Sequence, residues 1–432
     1  CSPLLFHGFL APYMRILFVH QNFPAQFKYV APALVAKGHQ VVALRAKTDT
    51  GFAVPDTIAL HKYERVTPVG SYKHPWFKEL TAKLHRAEDC FTYALKLKQE
   101  GFEPDVIVAH PGWGESLFLK QLWPHARLGL YLEFFYRSEG SDFGFDPEFP
   151  KAQLEHSHVG LRLKNLPFLA HLDEADAFIT PTQWQAQQFP EVFQSKLSVI
   201  HDGIPTDTLR PNPKATLTLK TQVGQHVTLT REDEVITFVN RNLEPARGYH
   251  TFMRALPALL EAHPKARVIL IGGSGVSYSH APPEGTTWRS VYQEEIASKM
   301  PEEAWERVHF LGQIPYPAFV NVLQLSTVHV YLTYPFVLSW SLLEAMSLSC
   351  AIVASATPPV QEVIQHEHTG LLTDFFDTHA LVAHITRLLH DPALRATLGQ
   401  QARTYVKTHY DLNTLCLPQQ CQWIESLGAV SV

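Results

Sequence analysis

Residues 14–44, MRILFVHQNFPAQFKYVAPALVAKGHQVVAL, contain the pattern that decides the fold. The apolar run 14–19 predicts a strand, the amphipathic stretch 26–37 predicts a helix that stops at Gly38, and residues 40–44 predict a second strand. A strand, a helix and a second strand in this order form a βαβ unit, in which the strands are parallel and the helix covers one face of the sheet.

The same strand pattern recurs in two series, with predicted helices between the strands, notably at 249–263 and 341–348. The first series continues at residues 105–109, 128–132, 177–180 and 197–200, and the second runs through 235–240, 267–271, 308–311, 328–332 and 351–354. Two such series predict an α/β protein with two doubly wound, Rossmann-like domains.

The length of 432 residues also favours two domains over a single core. The polar, Pro-containing stretch 207–230 is expected to separate a first domain, 14–207, from a second, 208–410. A second irregular insert, 272–289, directly follows a strand, which is where doubly wound proteins place ligand contacts. Residues 1–13 lack the basic region of a signal peptide, and we expect them to be an extension upstream of a natural start at Met14.

Composition argues against several functional classes. The net charge of -5 gives no support to a nucleic-acid surface, and the 24 histidines are scattered without HExxH or paired ligand spacing, so no metal site is predicted. The 5 cysteines form an odd, sparse set, which is typical of free thiols in a reducing compartment, and we expect a cytoplasmic protein. No apolar run approaches the roughly 20 residues needed to span a bilayer.

Two arginines follow the strand 235–240. Arg241 stands at its end, and Arg247 lies just before Gly248 and the next predicted helix. Both side chains are therefore expected at the carboxyl edge of the second sheet, where two guanidinium groups would neutralise the diphosphate leaving group of a nucleotide-linked substrate. The alternative is two solvated loop arginines.

A second candidate site is the stretch 334–350, YPFVLSWSLLEAMSLSC. A helix is predicted to begin near Ser341, and its exposed N–H groups would bind a pyrophosphate, with Ser339 and Trp340 beside them. Glu344 is expected in the first turn, where it would either accept the two hydroxyls of a ribose or only complement the helix dipole.

Two further candidates for binding the nucleotide-linked substrate are Gly273, in the insert 272–289, and Gln313, which follows the predicted strand 308–311. Both are expected at the same edge of the second sheet, because the carboxyl ends of parallel strands meet there.

Candidates in the first domain lie at the same edge of its sheet. His110 follows a predicted strand in VIVAHPGWGE and would hydrogen-bond a transferring sugar or be satisfied by backbone alone. Gln21 and Asn22 follow the first strand in a loop without glycine, which argues against a dinucleotide fingerprint; they would meet sugar hydroxyls or act as turn residues. Glu133 lies in the aromatic run 131–136, which would line an acceptor groove or belong to the core.

At these residues the chain resembles the family 4 glycosyltransferases, which are retaining enzymes of the GT-B fold. Arg241 and Arg247-Gly248 look like the pair that holds the donor diphosphate, and residues 342–346, LLEAM, look like the helix whose Glu binds the donor ribose. The element that follows this helix in the family resembles residues 362–372, and the segment that ends the family's first domain resembles residues 199–206. His110 falls where the family has an active-site histidine. The opening MRILFVHQNFPAQF and the run near Glu133 resemble a bacterial branch associated with polysaccharide assembly.

The resemblance implies a nucleotide-sugar donor, such as a UDP- or GDP-sugar, and no cofactor. The second domain would hold this donor facing an interdomain cleft, and the first would present a glycan or glycoconjugate acceptor. Catalytic roles would fall to His110, Arg241 and Arg247, with no metal ion and with retention of configuration. Residues 411–432 would form a C-terminal helix that packs back on the first domain.

The chain departs from the family at one informative position. Where the family has the first of two carboxylates separated by seven residues, this chain has Phe336, and the usual following Gly is Ser339. A Gly-Gly usual before Glu362 is replaced by Pro358-Pro359. Ser339, Ser341 or the N–H groups at the helix start are expected to replace the missing carboxylate.

Three alternative functions stay open. The chain would be a nucleotide-sugar 2-epimerase, a phage-type transferase acting on modified DNA bases, or a non-catalytic sugar-binding partner subunit. The acidic charge balance disfavours nucleic acid, and peripheral contact with a membrane stays open.

Overall fold

The computed structural model describes residues 13–47, 51, 53–65, 74–149, 154–220 and 224–429. Contacts divide the chain into two compact units, the first made of Cys1–Ser138, Pro150–Gly203 and Asn413–Val432 and the second of Glu139–Phe149 and Ile204–Leu412. Each unit contains a parallel sheet with helices, so the predicted pair of doubly wound domains is confirmed. The expected extension 1–13 lies outside the described residues except for Tyr13.

The strands of the first unit are β1 (Arg15–Val19), β2 (Gln40–Ala46), β3 (Ala59–Tyr63), β4 (Val106–Ala109), β5 (Arg127–Tyr131), β6 (Ala177–Thr180) and β7 (Leu197–Val199). Within the described residues they form one parallel sheet in the order β3-β2-β1-β4-β5-β6-β7. The order reverses between β1 and β4, so the carboxyl ends of these two strands flank a topological switch point.

The helices of the first unit are α1 (Val30–Ala36), α2 (Pro75–Gln99), α3 (Leu119–Leu122), α4 (Leu154–Leu169), α5 (Gln183–Gln188) and α6 (Glu191–Gln194). Helices cover both faces of the sheet, and its central strands are therefore apolar on both faces. In β1, Ile16 and Phe18 belong to one buried cluster while Leu17 and Val19 belong to another.

The strands of the second unit are β8 (Leu217–Lys220), β9 (His226–Leu229), β10 (Val235–Asn242), β11 (Arg267–Gly273), β12 (Val308–Gly312), β13 (Val328–Tyr331), β14 (Ile352–Ser355) and β15 (Leu371–Thr373). Six of them form a parallel sheet within the described residues, in the order β12-β11-β10-β13-β14-β15. Its switch point lies between β10 and β13.

The helices of the second unit are α7 (Tyr249–Ala262), α8 (Trp288–Ala297), α9 (Glu302–Trp305), α10 (Tyr316–Leu325), α11 (Trp340–Ser347), α12 (Pro358–Gln361), α13 (Thr378–His390) and α14 (Pro392–His409). As in the first unit, adjacent side chains of the central strand face different cores: Ile236 and Phe238 lie in one, and Val235 and Val239 in the other. The rigid sheet fixes the positions of the loops at its carboxyl edge.

The last helix, α15 (Leu417–Ala429), belongs to the first unit. Trp423 and Leu427 approach β5 at Gly129, where an added Cβ would come within 2.7 Å of both side chains. Glycine at this position therefore permits the close packing of the helix on the sheet.

The stretch 207–230 differs from its expected form as an irregular linker. It contains the antiparallel hairpin of β8 and β9, and Leu219 and Leu229 are buried in a core of the second unit. The hairpin has one apolar face only, with Thr and Lys on the other, which explains why the sequence pattern did not indicate it.

Two observations concern membrane-spanning helices and the state of the cysteines. Among the described residues no helix combines the length and the apolarity that a bilayer crossing requires. The four cysteines in the described part of the chain, Cys90, Cys350, Cys416 and Cys421, are buried free thiols, as predicted.

Candidate functional site

Arg247 is held by short contacts at the switch point of the second sheet. It ends a 3₁₀ turn after β10 and is only 6% exposed. Its Nη1 donates to Thr333 Oγ1 at 2.8 Å and to the carbonyl of Val337 at 3.1 Å. Its Nε and Nη2 have no hydrogen-bond partner among the described residues, so these donors are available to an anion.

Gly248 makes this position of Arg247 sterically accessible. Its φ of 71° lies in the left-handed region, and an added Cβ would come within 2.2 Å of Leu332 Cβ. Only glycine therefore lets the chain pass from the 3₁₀ turn into α7 directly against Leu332, the residue that follows β13.

Arg241 is the penultimate residue of β10 and is exposed. It makes no hydrogen bond or ion pair within the described part of the chain. Both predicted arginines thus follow or end the central strand of the sheet, with one guanidinium anchored and the other unengaged.

The loop between β13 and α11 leads directly from Arg247 to the predicted helix. Val337 accepts from Arg247, and Ser339 N donates to Tyr331 Oη at 3.0 Å. Ser339 is the N-cap of α11: its Oγ accepts from Ser341 N and lies 2.9 Å from Ser341 Oγ. The two serines expected to replace the missing carboxylate are therefore already engaged with each other.

The helix predicted to begin near Ser341 is present and begins one residue earlier, but the placement of Glu344 in its first turn is wrong. Ser339 caps the helix, α11 begins at Trp340, and its first turn contains no acidic residue. Because the effect of the dipole falls off within the first turn, it does not by itself account for Glu344. The Glu344 side chain is buried, and Oε1 accepts from Tyr316 Oη at 2.6 Å. Tyr316 was not predicted; it lies at the start of α10, and no sequence pattern connects it to Glu344.

Gly273 and Gln313 come together at the end of β11. A Cβ on Gly273 would lie 2.5 Å from Asn242 Oδ1 and 3.0 Å from Gln313 Nε2. Gly273 thus leaves room for two amide side chains at the carboxyl edge of the sheet. Asn242, which was not predicted, donates to Ser277 Oγ and accepts from Gly275 N.

The insert after β11 is held by a buried carboxylate that the sequence did not reveal. Glu244 is 0% exposed and accepts from the consecutive N–H groups of Ser277, Tyr278 and Ser279, at 2.9–3.1 Å through Oε2. Three converging N–H groups form an anion-binding nest, here filled by a side chain of the protein. The nest fixes the path of the insert.

Tyr278, which the fixed loop presents, packs with Phe336 and Arg247. The carbon Cζ of Arg247 lies 4.8 Å from the centre of the Tyr278 ring and 5.6 Å from that of Phe336, and the two rings are 5.0 Å apart. These distances are within the range of cation–π contact, so the guanidinium is oriented by rings as well as by hydrogen bonds.

His110 and His20 lie together at the switch point of the first sheet. They follow β4 and β1, and their ring centres are 5.2 Å apart. His110 Nδ1 accepts from Gly112 N and His20 Nδ1 accepts from Asn22 N, which leaves each Nε2 as the remaining polar atom. Neither Nε2 forms a hydrogen bond within the described residues. Burial, with His110 nearby, lowers the pKa of His20 well below its usual value, so His20 is neutral.

Glu133 and Gln26 complete this group. Glu133 Oε2 lies 3.4 Å from His110 Nε2 without a hydrogen bond, and Oε1 accepts from Gln26 Nε2 at 2.9 Å. The carbonyl oxygens of the Gln21 and Gln26 side chains are buried without a hydrogen-bond partner in the described chain. The structure thus brings His110, Gln21, Asn22 and Glu133 to one end of the sheet.

Glu115 is a further buried acid close to this group. It is 1% exposed, and neither carboxylate oxygen has a hydrogen-bond partner among the described residues. Burial raises its pKa, in part offset by its own backbone N–H and by Arg86 and His110.

The segment 139–149 contributes two acids that lie beside a histidine of α7, a group that the sequence analysis did not connect. Asp146, Glu148 and His250 have potential ligand atoms within 4.8 Å of one another. Asp146 Oδ2 lies 2.9 Å from His250 Nε2 and accepts from Tyr334 Oη at 2.5 Å, while Glu148 forms a two-point ion pair with Arg254. Burial would raise the pKa of Asp146, but these hydrogen bonds lower it overall. Both carboxylates thus have partners outside this trio, Tyr334 for Asp146 and Arg254 for Glu148, and the absence of a metal site stays a prediction.

Two protein-family models match the chain in succession. The model of the glycosyl transferase family 4 group matches residues 37–209, and that of the glycosyl transferases group 1 matches residues 225–405. Between them the matches cover most of both units.

Two curated bacterial relatives give weaker, partial matches. A D-inositol 3-phosphate glycosyltransferase of Corynebacterium glutamicum (strain R) is 25% identical over 243 residues, which cover 55% of this chain and 54% of that protein. A GDP-mannose-dependent monoacylated alpha-(1-6)-phosphatidylinositol monomannoside mannosyltransferase of another strain of that species is 22% identical over 244 residues, covering 55% and 59%. The chain spans about half the length of the curated relatives it matches.

Two solved structures share the fold along nearly the whole chain. Sucrose-phosphate synthase from Thermosynechococcus elongatus has a TM-score of 0.71 at 19% identity, and HepE of Anabaena in complex with UDP-glucose has a TM-score of 0.64 at 17% identity. Each comparison covers 97% of this chain and 100% of the other.

Proposed function

Since the chain belongs to the family 4 glycosyltransferases, which have the GT-B fold, we propose that it transfers a sugar from a nucleotide-sugar donor to an acceptor hydroxyl. The donor is a UDP- or GDP-sugar, and the acceptor is a glycan or glycoconjugate. The similar structure of HepE was solved with UDP-glucose, and one relative is named for GDP-mannose, which supports a donor of this class.

One observation carries the proposal: Arg247 presents two nitrogens with unengaged N–H groups, Nε and Nη2, at the switch point of the second sheet. Its Nη1 is held by Thr333 and Val337, so the free Nε and Nη2 are fixed in direction. The same loop continues through Ser339 into the N-terminus of α11. A diphosphate would bind between the guanidinium and these backbone N–H groups.

Arg241 and Glu344 would complete the donor site. The exposed Arg241 would pair with the diphosphate when the donor binds, and Glu344 would accept hydroxyls of the donor ribose through oxygen positions that Tyr316 orients. Gly273, Gln313 and Trp340 would line the same edge.

The two arginines would stabilise the charge that develops on the leaving diphosphate, without a cation. By resemblance to the family, the acceptor would attack on the face from which the diphosphate leaves. A leaving phosphate oxygen would take the acceptor proton, so that configuration is retained.

The first unit would supply the sugar and acceptor side. His110 Nε2 would donate to a hydroxyl of the transferring sugar, and Gln21, Asn22 and Glu133 would meet further hydroxyls. The unsatisfied buried atoms in this group support a polar ligand, because such atoms are otherwise costly. A role in polysaccharide assembly and a cytoplasmic location stay predictions.

The experiment is a donor panel of UDP- and GDP-sugars, with release of UDP or GDP measured with and without EDTA. We expect turnover with at least one donor and no loss with the chelator. Loss of activity with EDTA that Mg²⁺ or Mn²⁺ restores would contradict the metal-free mechanism. Interconversion of the donor to its 2-epimer, without nucleotide release, would instead show an epimerase.

A further inference from the structure

We propose that Tyr278 and Phe336 form an aromatic wall that contacts the donor sugar and favours a deoxy sugar over a fully hydroxylated one. The inference rests on the proposed function, because it assumes that Arg247 binds the donor diphosphate. It deepens that function by naming the class of sugar.

The position of the rings next to Arg247 carries the first step. Both rings lie within 5.6 Å of the guanidinium carbon. The diphosphate joins the sugar to the nucleoside. Side chains that flank an arginine bound to the diphosphate therefore contact either the sugar or the nucleoside. Glu344 and Tyr316, bonded to each other at 2.6 Å, supply the polar contacts for the nucleoside end, which leaves the rings for the sugar end.

The rigidity of the wall carries the second step. Tyr278 is 40% exposed, yet its backbone N–H is bonded to the buried carboxylate of Glu244. The flanking residues are tied down as well: Asn242 donates to Ser277 Oγ, and Ser279 Oγ accepts from Ala246 N. An exposed ring on a loop fixed at three successive residues is suited to contact a ligand without losing much conformational freedom.

The polar groups nearest to Phe336 in sequence do not offset its lack of hydrogen-bonding atoms. Ser339 Oγ caps α11 and lies 2.9 Å from Ser341 Oγ, so both hydroxyls already have partners. A sugar hydroxyl pressed against a phenyl ring would lose its water without gaining a hydrogen bond, while C–H groups of a deoxy position would pack favourably. The wall therefore discriminates against a hydroxyl at the position that it covers.

The test measures affinity by calorimetry, which requires no acceptor. The probes are UDP-glucose, UDP-4-deoxyglucose and UDP-6-deoxyglucose, GDP-mannose and GDP-6-deoxymannose, with UDP and GDP alone as references. For the nucleotide that binds, we expect at least one deoxy donor to bind about 5- to 150-fold tighter than its hydroxylated parent, the range for one unpaired buried hydroxyl.

Three variants locate this preference. Tyr278→Ala should bring the ratio of dissociation constants close to one, and Phe336→Glu, which supplies an acceptor, should reverse it. Tyr278→Phe retains the ring and should keep the wild-type ratio. If Tyr278→Phe instead abolishes the preference, the phenol hydroxyl selects the sugar and the apolar wall is wrong.

The remaining outcomes distinguish failure of this inference from failure of the proposed function. Tight binding of UDP or GDP with no deoxy preference in the wild type overturns the inference and leaves the donor site intact. A loss of affinity for UDP or GDP alone in Tyr278→Ala, with the sugar ratio unchanged, means that the rings contact the nucleoside and also overturns it. Failure of the folded wild type to bind any of these nucleotides overturns both.

Discussion

The two switch points of the molecule occupy the same place in their sheets and carry different chemistry. Between β10 and β13, the second sheet has two arginines, one with free guanidinium donors and one exposed, and a helix N-terminus. Between β1 and β4, the first sheet has two buried histidines, with acids and amides around them. Neither set is imposed by the fold, because both sheets have the same parallel, doubly wound construction.

The difference supports the proposed division of roles between the two units. Fixed cationic donors suit a diphosphate, which carries full negative charge. A neutral imidazole and unsatisfied amide oxygens suit hydroxyl groups, which both donate and accept. Family membership alone does not assign either ligand to a unit. The side chains support the proposed assignment, under which variants at each switch point should have separable effects.

The largest effect is expected from Arg247→Ala. Loss of the anchored guanidinium should weaken binding of UDP or GDP by about 1.5–3 kcal/mol, the range for a charged hydrogen bond, and Arg241→Ala should act similarly. Calorimetric titration of the nucleotide measures the change. Arg387→Ala, which removes an exposed arginine paired with Glu367 in the same unit, is the control and should bind normally. Unchanged affinity in both test variants would remove the diphosphate from this switch point.

Glu344→Gln should have the next largest effect on the same titration. An amide has one acceptor oxygen where the carboxylate has two, so ribose binding should weaken by about 1–2 kcal/mol. Thermal unfolding should change little, because the substitution preserves size and the bond from Tyr316. A variant that binds nucleotide normally but melts at lower temperature would show that Glu344 is only structural.

His110→Ala should separate the two switch points. Loss of one neutral hydrogen bond to the sugar should raise the activation barrier by about 1 kcal/mol, which lowers kcat roughly fivefold. Affinity for UDP or GDP alone should stay at the wild-type value, since His110 is assigned to the sugar. The comparison of kcat with nucleotide affinity is decisive: a variant with normal turnover would show that His110 makes no contact that matters for sugar transfer.

The smallest effect concerns stability at the first switch point. Because burial raises the pKa of Glu115 above its ordinary value of 4.5, the native state holds its proton more tightly than the unfolded chain does. Its contribution to stability is complete below that value and is lost as the pH rises through the raised pKa. The melting temperature of Glu115→Gln should therefore exceed that of the wild type by about 2–4 °C at pH 8, and the two should melt at the same temperature at pH 4. A difference that does not depend on pH would contradict the buried, unpartnered carboxylate.

Much of the fold could be predicted because buried parallel strands are continuous apolar runs. The strands at 106–109, 177–180 and 328–331 are of this kind, and the sequence indicated all of them. Edge elements were harder to predict. β3, with the sequence ALHKY, has polar residues in its middle, and the hairpin strands β8 and β9 alternate polar with apolar residues. None of the three strands exceeds 5 residues.

The local setting of each candidate residue is easier to predict than the contacts between candidates. A guanidinium before a Gly, or a Glu within a helix, is recognisable locally. The pairs Tyr278–Phe336 and Tyr316–Glu344 join residues on different loops and helices, and only the sheet order brings them together. Glu244 shows the same limit, because its role depends on how the distant insert turns back over β10.

The central claim, that the nucleotide binds at the switch point of the second sheet, is tested most directly by hydrogen exchange with and without saturating UDP or GDP. The account predicts that nucleotide slows exchange in peptides covering residues 240–248 and 333–344, and leaves 20–26 and 110–116 unchanged. Protection of the first-unit peptides alone, with 240–248 and 333–344 unaffected, would contradict it.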